Sequence, residues 1–149
     1  MTQNMLSASL KTCHWGYFDA KLPPAMTISS GDEVVINTIS GGPQNLPGAG
    51  FYVPQELLDL HAAGLPTMPG HILTGPVAVQ GAMPGDVLQI DILDVSLRQD
   101  WGFNYLGPLT GTLPQDFPNM HHTIIPLDTK RSIATCLLYT SPSPRDSSK

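Results

Sequence analysis

The residues best equipped for chemistry fall in two short clusters. The first is His14-Trp15-Gly16-Tyr17-Phe18-Asp19, followed by Leu22-Pro23-Pro24. An imidazole nitrogen and a carboxylate oxygen on one irregular, aromatic segment can both reach a single metal ion. That donor pair suits zinc, with water left at an open position. A histidine beside a tryptophan is more often a packed structural residue, and the spacing alone leaves both roles open. The second cluster is Gly70-His71-Ile72-Leu73-Thr74-Gly75-Pro76. There His71 stands just before a predicted strand, a place from which loop side chains often enter a site.

The other candidates have plainer readings. His61 falls within a predicted helix and is expected at the surface. His121 and His122 look like a metal pair, but adjacent residues on a strand face opposite sides. Cys13 next to His14 is no thiol-protease signature, because catalytic Cys and His meet in space rather than in sequence. Cys13 and Cys136 lie far apart and fit no zinc or disulfide spacing. The chain has no Gly-rich phosphate loop, no G-x-S-x-G elbow, no H-E-x-x-H and no C-x-x-C, so those chemistries have no local signature here.

The elements that must position these groups are those of a turn-dense β protein. Of 149 residues, 41% are hydrophobic and only 13% charged, while 14 glycines and 15 prolines punctuate the chain. The charged fraction is about half the usual quarter, which argues against a highly charged disordered chain. A net charge of -5 with scattered Lys and Arg argues against nucleic acid or an anionic membrane as partner. No apolar run approaches a bilayer span, and the N-terminus has neither a basic region nor a long apolar one. A cytoplasmic protein is the expectation.

Residues 25–40 predict a short extended run, a Ser-Gly-Asp turn, and a strand over Glu33–Ile39 rich in Val, Ile and Thr. In residues 77–97, Val77 and Val79 share a strand face and Met83-Pro84-Gly85-Asp86 makes a turn. A second strand then puts Leu88, Ile90 and Ile92 on one face and Gln89 and Asp91 on the other. The apolar phase shifts afterwards to Leu93, Val95 and Leu97, which predicts a bulge or a strand covered on both sides. Both stretches follow a Gly-Asp turn with an alternating strand. Such turns feed strands in many β proteins, so no structural repeat is required. Asp32 and Asp86 are expected to cap their turns by accepting backbone N–H groups. One helix is predicted near 54–63, with Pro54 in its first turn, Glu56 near its start, and Leu57, Leu60 and Leu58 on its apolar face. Gly64 is its stop. Residues 101–118 read as ordered loops with short strands.

The last residues change character. The run Cys136 to Asp146, CLLYTSPSPRD, resembles the conceptual translation of a transposon-based sequencing adapter, with all eleven codons in frame. Residues 136–149 are therefore read as an artefactual disordered tail. The body that remains carries five basic and eleven acidic side chains. It is expected to be the N-terminal part of a longer domain, residues 1–135, and its unpaired sheet edges would favour aggregation.

Three strings carry a family resemblance: HWGYFDAKLPPAMTISSGDEVVINTISGGP, GHILTGPVAVQGAMPGDVLQIDILDV and DWGFNYLGPLTGTLPQDFP. In order and spacing they resemble the acetamidase/formamidase family over roughly residues 12–135. The most specific piece is TGPVAVQGAMPGDVLQIDI, which is similar to a family hallmark that carries Glu where this chain has Met83. Any role of that carboxylate is lost here. The resemblance implies a mainly β fold with a jelly-roll-like β-sandwich core, incomplete in this chain. It also implies hydrolysis of small aliphatic amides to a carboxylic acid and ammonia by a homo-oligomer. Family members are longer, and a downstream Pro-Phe-x-Gly segment and a Gly-Gly-Asn-x-Asp motif are expected to contribute to their site. This chain is then expected to be inactive alone.

With no Ser or Cys nucleophile signature, a water activated by a divalent metal, zinc by preference, is the economical route to amide hydrolysis. His14, Asp19 and His71 are expected as this chain's metal or acid–base contributors. The rival reading is a non-catalytic β-sandwich that binds a small ligand on Trp15, Tyr17, Trp101, Phe103 and Tyr105. A hydrophobic core explains those aromatics equally well.

Overall fold

The computed structural model describes residues 4–64 and 70–135. The adapter-like stretch 136–149 lies outside the described residues. Two compact units share the chain. One comprises Met1–Gly42 with Pro54–Asp94, the other Pro43–Val53 with Val95–Lys149. The described residues are mainly β, with one short α-helix.

The first unit is built from three short ladders. Strand β1 (Asn4–Ser7) pairs in parallel with β4 (Val34–Asn37), Leu6 opposite Ile36. Strand β2 (Cys13–Trp15) pairs antiparallel with β5 (Ile72–Thr74), and β3 (Met26–Ile28) pairs in parallel with β6 (Val77–Val79). Three or four residues per strand is too little for independent stability, so side chains and turns must hold the ladders. Leu6, Ala8 and Ile39 are buried, as is Trp15, whose indole N–H donates to the Gly70 carbonyl at 3.1 Å. Between β1 and β2, the Ser9 carbonyl accepts the N–H groups of Thr12 and Cys13, while the Thr12 hydroxyl donates to the Ser7 carbonyl.

The helix α1 (Gln55–Ala62) follows the sequence pattern except in the details of its start and at Leu58 and His61. Leu57 and Leu60, three apart, are fully buried, whereas Leu58 lies on the outer side, 37% exposed. At 100° per residue, position 58 cannot share the stripe formed by 57 and 60. Pro54 stands at the N-cap rather than inside the first turn. Gly64, at φ +62°, ends the helix, and its N–H returns to the His61 carbonyl. His61 is a further correction. It is half-buried, with Nε2 3.0 Å from the Gly41 carbonyl and Nδ1 shut off from solvent.

The two Gly-Asp turns are built alike. In one, the Ser29 N–H donates to Asp32 Oδ2 at 2.8 Å and the Asp32 N–H donates to the Ser29 carbonyl at 3.1 Å. In the other, Met83 and Asp86 make the same two bonds at 2.8 and 3.1 Å. Gly31 and Gly85 take φ +88° and +103°, the left-handed region each turn requires. Both aspartates cap as their position predicts, and β4 follows the first turn.

The strand predicted after the second turn is the main departure. Residues 87–92 are not paired as a strand among the described residues. Val87 is 95% exposed, Ile90 74% and Ile92 79%. Alternation specifies which way side chains point but cannot supply the neighbouring backbone a strand needs.

The second unit is a meander of β7 (Trp101–Leu106), β8 (His121–Asp128) and β9 (Ile133–Ala134). Trp101 is fully buried, and its indole N–H donates to the Tyr52 carbonyl at 2.8 Å. The Tyr52 N–H donates in turn to Asp100 Oδ1 at 2.9 Å, which ties segment 43–53 to the start of β7. Between β8 and β9, Asp128 Oδ1 accepts the N–H groups of Lys130 and Arg131, both at 3.0 Å.

Two substitutions test what shapes the first unit. A Cβ at Gly70, where φ is +136°, would sit 3.0 Å from the Gly16 Cα, whereas Gly31 has open space around it at φ +88°. Gly31→Ala is expected to cost about 1 kcal/mol for backbone strain alone, and Gly70→Ala roughly 2–3 kcal/mol because a strand must also shift. Urea unfolding of both variants measures the difference. Equal losses would show that the close approach of Gly16 to Gly70 contributes nothing.

Candidate functional site

Residues 13–16 and 70–74 form the framework of the site. Cys13 stands opposite Thr74, His14 opposite Leu73 and Trp15 opposite Ile72. The ladder continues one step further, because the Gly16 N–H donates to the His71 carbonyl at 3.0 Å. Residues directly opposite share a face, and positions two apart on a strand return to it. His14, Leu73 and His71 therefore lie on one face, with the two histidines diagonal to each other. Diagonal neighbours are about 7–8 Å apart, within reach for long side chains.

Each histidine is held differently. His14 is half-buried, with its ring edge-on to Tyr17 at a centroid distance of 5.7 Å and 63° between the planes. His71 is exposed and stands immediately before β5. Trp15 points to the opposite face, buried, with its indole bonded to the Gly70 carbonyl. That bond and the tight approach of Gly70 to Gly16 fix the end of the ladder where His71 stands. Cys13 is a free thiol, its Sγ 3.6 Å from the Thr74 hydroxyl.

Asp19 sits in a turn beyond β2 and is exposed. Its Oδ1 accepts the Lys21 N–H at 2.8 Å and its carbonyl accepts the Leu22 N–H at 3.1 Å. Among the described residues no three of His, Cys, Asp and Glu gather closely enough to hold a metal ion. The structure thus places His14 and His71 on one face and gives the Asp19 carboxylate a turn-forming bond. His14, Asp19 and His71 are expected together from the sequence, but the close approach of Gly16 and Gly70 that sets the two histidine-bearing stretches side by side is not. A glycine two residues after one histidine and another immediately before the second is the signal that was available.

His121 and His122 face opposite sides of β8. His121 Nε2 lies 2.8 Å from the Thr123 hydroxyl, while the His122 ring lies against Phe103 on β7 at 6.1 Å. The second unit also has a mostly apolar cleft of about 630 Å³ between the end of β7 and loop 110–120, lined by Leu106, Leu113, Phe117, Met120 and His121. The aromatics of the rival reading do not form one platform. Trp15 and Trp101 are core residues with their indole N–H groups internally bonded, while Tyr105 is half exposed.

Comparison with known proteins agrees with the motif reading. A formamidase from Methylophilus methylotrophus is 46% identical over 59 residues, a stretch covering 36% of this chain and 14% of that protein. The match therefore spans about a seventh of the relative's length. The model of the Acetamidase/Formamidase family matches residues 4–135, a range that takes in all the described residues. On that match, this chain belongs to the acetamidase/formamidase family.

Proposed function

We propose that this chain carries part of the site of an amidohydrolase that converts short aliphatic amides, formamide or acetamide, to a carboxylate and ammonia. The observation that carries the reading is the family match over residues 4–135. In the reaction, water adds to the amide carbonyl carbon, the C–N bond breaks, and a proton passes to the departing nitrogen. An amide lying over the face of the β2–β5 ladder that carries His14 and His71 would meet two imidazoles. Imidazole both takes and gives protons. His14, its ring braced by Tyr17, suits the removal of a proton from water, and the exposed His71 suits its delivery to the nitrogen.

Asp19 is a further contributor in this reading. Its Oδ1 closes the turn with Lys21, and its second carboxylate oxygen is the one proposed to serve the site. A divalent ion, zinc by preference, would be held by His14 and His71 only with donors from outside the described residues, since no third donor gathers with them. When bound, such an ion supplies Lewis acidity at the amide carbonyl. No membrane-length apolar helix occurs among the described residues, and the proposed setting is the cytoplasm, with a homo-oligomeric enzyme. The relative is far longer than the matched stretch, so the chain alone is proposed to be inactive.

Met83 is compatible with this reading. Its turn is closed by the Met83 N–H and the Asp86 carboxylate, and the residue is 68% exposed.

Ammonia release from formamide and acetamide is the direct test. The 149-residue chain is expected to give no release above buffer, while the gene continued past codon 135 is expected to be active. In that longer protein, His14→Ala and His71→Ala should each lower turnover by roughly a hundredfold or more, as loss of a general acid or base does. Unchanged turnover and metal content in both variants would remove the ladder face from the site. Asp19→Asn separates the two uses of that side chain. The amide oxygen keeps the turn bond to Lys21, so a fall in turnover with unchanged unfolding midpoint is the expected outcome. Full activity would leave Asp19 as a turn residue only.

A further inference from the structure

Amide hydrolysis asks three things of a site. A proton must leave water, a proton must reach the nitrogen, and the oxygen that turns anionic needs a donor. The two imidazoles suit the first two tasks. The turn that follows β2 supplies a group for the third.

Strand alternation places His14 and Trp15 on opposite faces, and a further extended residue would carry position 17 to the Trp15 face. Gly16 ends that alternation. It takes φ +76°, a conformation that few other residues adopt readily, and the chain turns there. Tyr17 consequently meets His14, edge-on, with ring centroids 5.7 Å apart and 63° between the planes. A phenol is rigid, so its oxygen stands within one ring's reach of that contact.

Donors around this contact are already committed. The His71 carbonyl holds the Gly16 N–H, the Thr12 carbonyl the Gly75 N–H, and the Gly70 carbonyl the Trp15 indole. Beyond the turn, Asp19 takes the N–H groups of Lys21 and Leu22. Tyr17 differs from all of these. Its side chain is half-buried, and its hydroxyl bonds to no described residue. A tyrosine packed into a protein ordinarily directs its O–H to a partner, and the partner in reach of this one is whatever lies over His14.

We infer that Tyr17 is a catalytic residue whose hydroxyl donates to the carbonyl oxygen of a short aliphatic amide. The inference rests on the amidohydrolase reading of the face that carries His14 and His71. As water adds to the carbonyl carbon and loses a proton to His14, the C=O π pair moves onto oxygen. That oxyanion accepts the Tyr17 O–H bond, and the proton stays on the phenol. When the C–N bond breaks, the pair returns to re-form the carbonyl, and the nitrogen departs with a proton from His71. The hydrogen bond strengthens as charge develops, so it acts on the transition state rather than on substrate binding.

Steady-state kinetics of the longer protein with formamide and acetamide test the assignment. Tyr17→Phe keeps the ring against His14 and removes the hydroxyl alone. Turnover is expected to fall roughly a hundredfold with KM nearly unchanged, as loss of one oxyanion donor does. A tetrahedral methylphosphonamidate should lose affinity by a similar factor. The nuclear Overhauser contact between the His14 ring and the ring at position 17 should persist, as should the unfolding midpoint. Full turnover of Tyr17→Phe beside an active parent overturns the role of Tyr17 and leaves the amidohydrolase reading standing. A rise in KM alone does the same, since it marks ground-state binding, and so does a lowered unfolding midpoint, which marks a structural hydroxyl. A parent that hydrolyses neither amide removes the functional reading, and the Tyr17 assignment falls with it.

Discussion

The first unit depends on a meeting between two stretches of chain more than fifty residues apart. Residues 13–16 and 70–75 are joined by main-chain bonds, among them Gly16 N–H to His71 and Gly75 N–H to Thr12. Neither stretch is long enough to be stable alone. The join works because the backbones come together at Gly16 and Gly70, where neither residue carries a Cβ, and because the Trp15 indole ties itself to the Gly70 carbonyl while its ring is buried. Burial of a tryptophan and satisfaction of its one polar atom occur in the same contact. The histidine face exists as a by-product of that packing. His14 precedes the buried Trp15 and must point the other way, and His71 follows the glycine that accepts the indole bond.

Charge is used sparingly and locally. Asp32, Asp86, Asp19 and Asp128 each accept at least one backbone N–H within three residues, closing a turn with an anion that water also solvates. Hydrogen bonds to ionised acceptors are stronger than neutral ones, so a chain with few charges obtains well-defined turns from a handful of carboxylates. Asp100 extends the pattern over a longer distance by accepting the Tyr52 N–H, beside the Trp101 indole that donates to the Tyr52 carbonyl. Both main-chain groups of residue 52 are thereby satisfied, which lets an irregular segment lie against a buried ring.

Much of this was legible in the residues, and the rest was not for identifiable reasons. Pro54, Glu56, Leu57, Leu60 and Gly64 announce the helix, because its caps and apolar spacing are local properties. The aspartate turns are equally local. His121 and His122 diverge as strand geometry dictates. His61 falls at a helical position that predicts a surface residue, since helical periodicity cannot reveal that a loop carbonyl at Gly41 covers it. The convergence of His14 and His71 depends on pairing between distant strands, which no single-sequence pattern encodes. Residues 87–93 show the same limit from the other side. Their alternation predicts a strand that the described residues do not form, because a strand is a relation between two backbones and the sequence of one cannot supply the other.

At the Met83 turn, backbone shape and side-chain chemistry are separable. The bonds that shape the turn run through the Met83 amide and the Asp86 carboxylate, and the thioether itself takes no part in them. Position 83 can thus change its side chain without touching the bonds that shape the turn. Exchanging methionine for glutamate there would add a carboxylate to the exposed side of the turn and leave its two bonds in place.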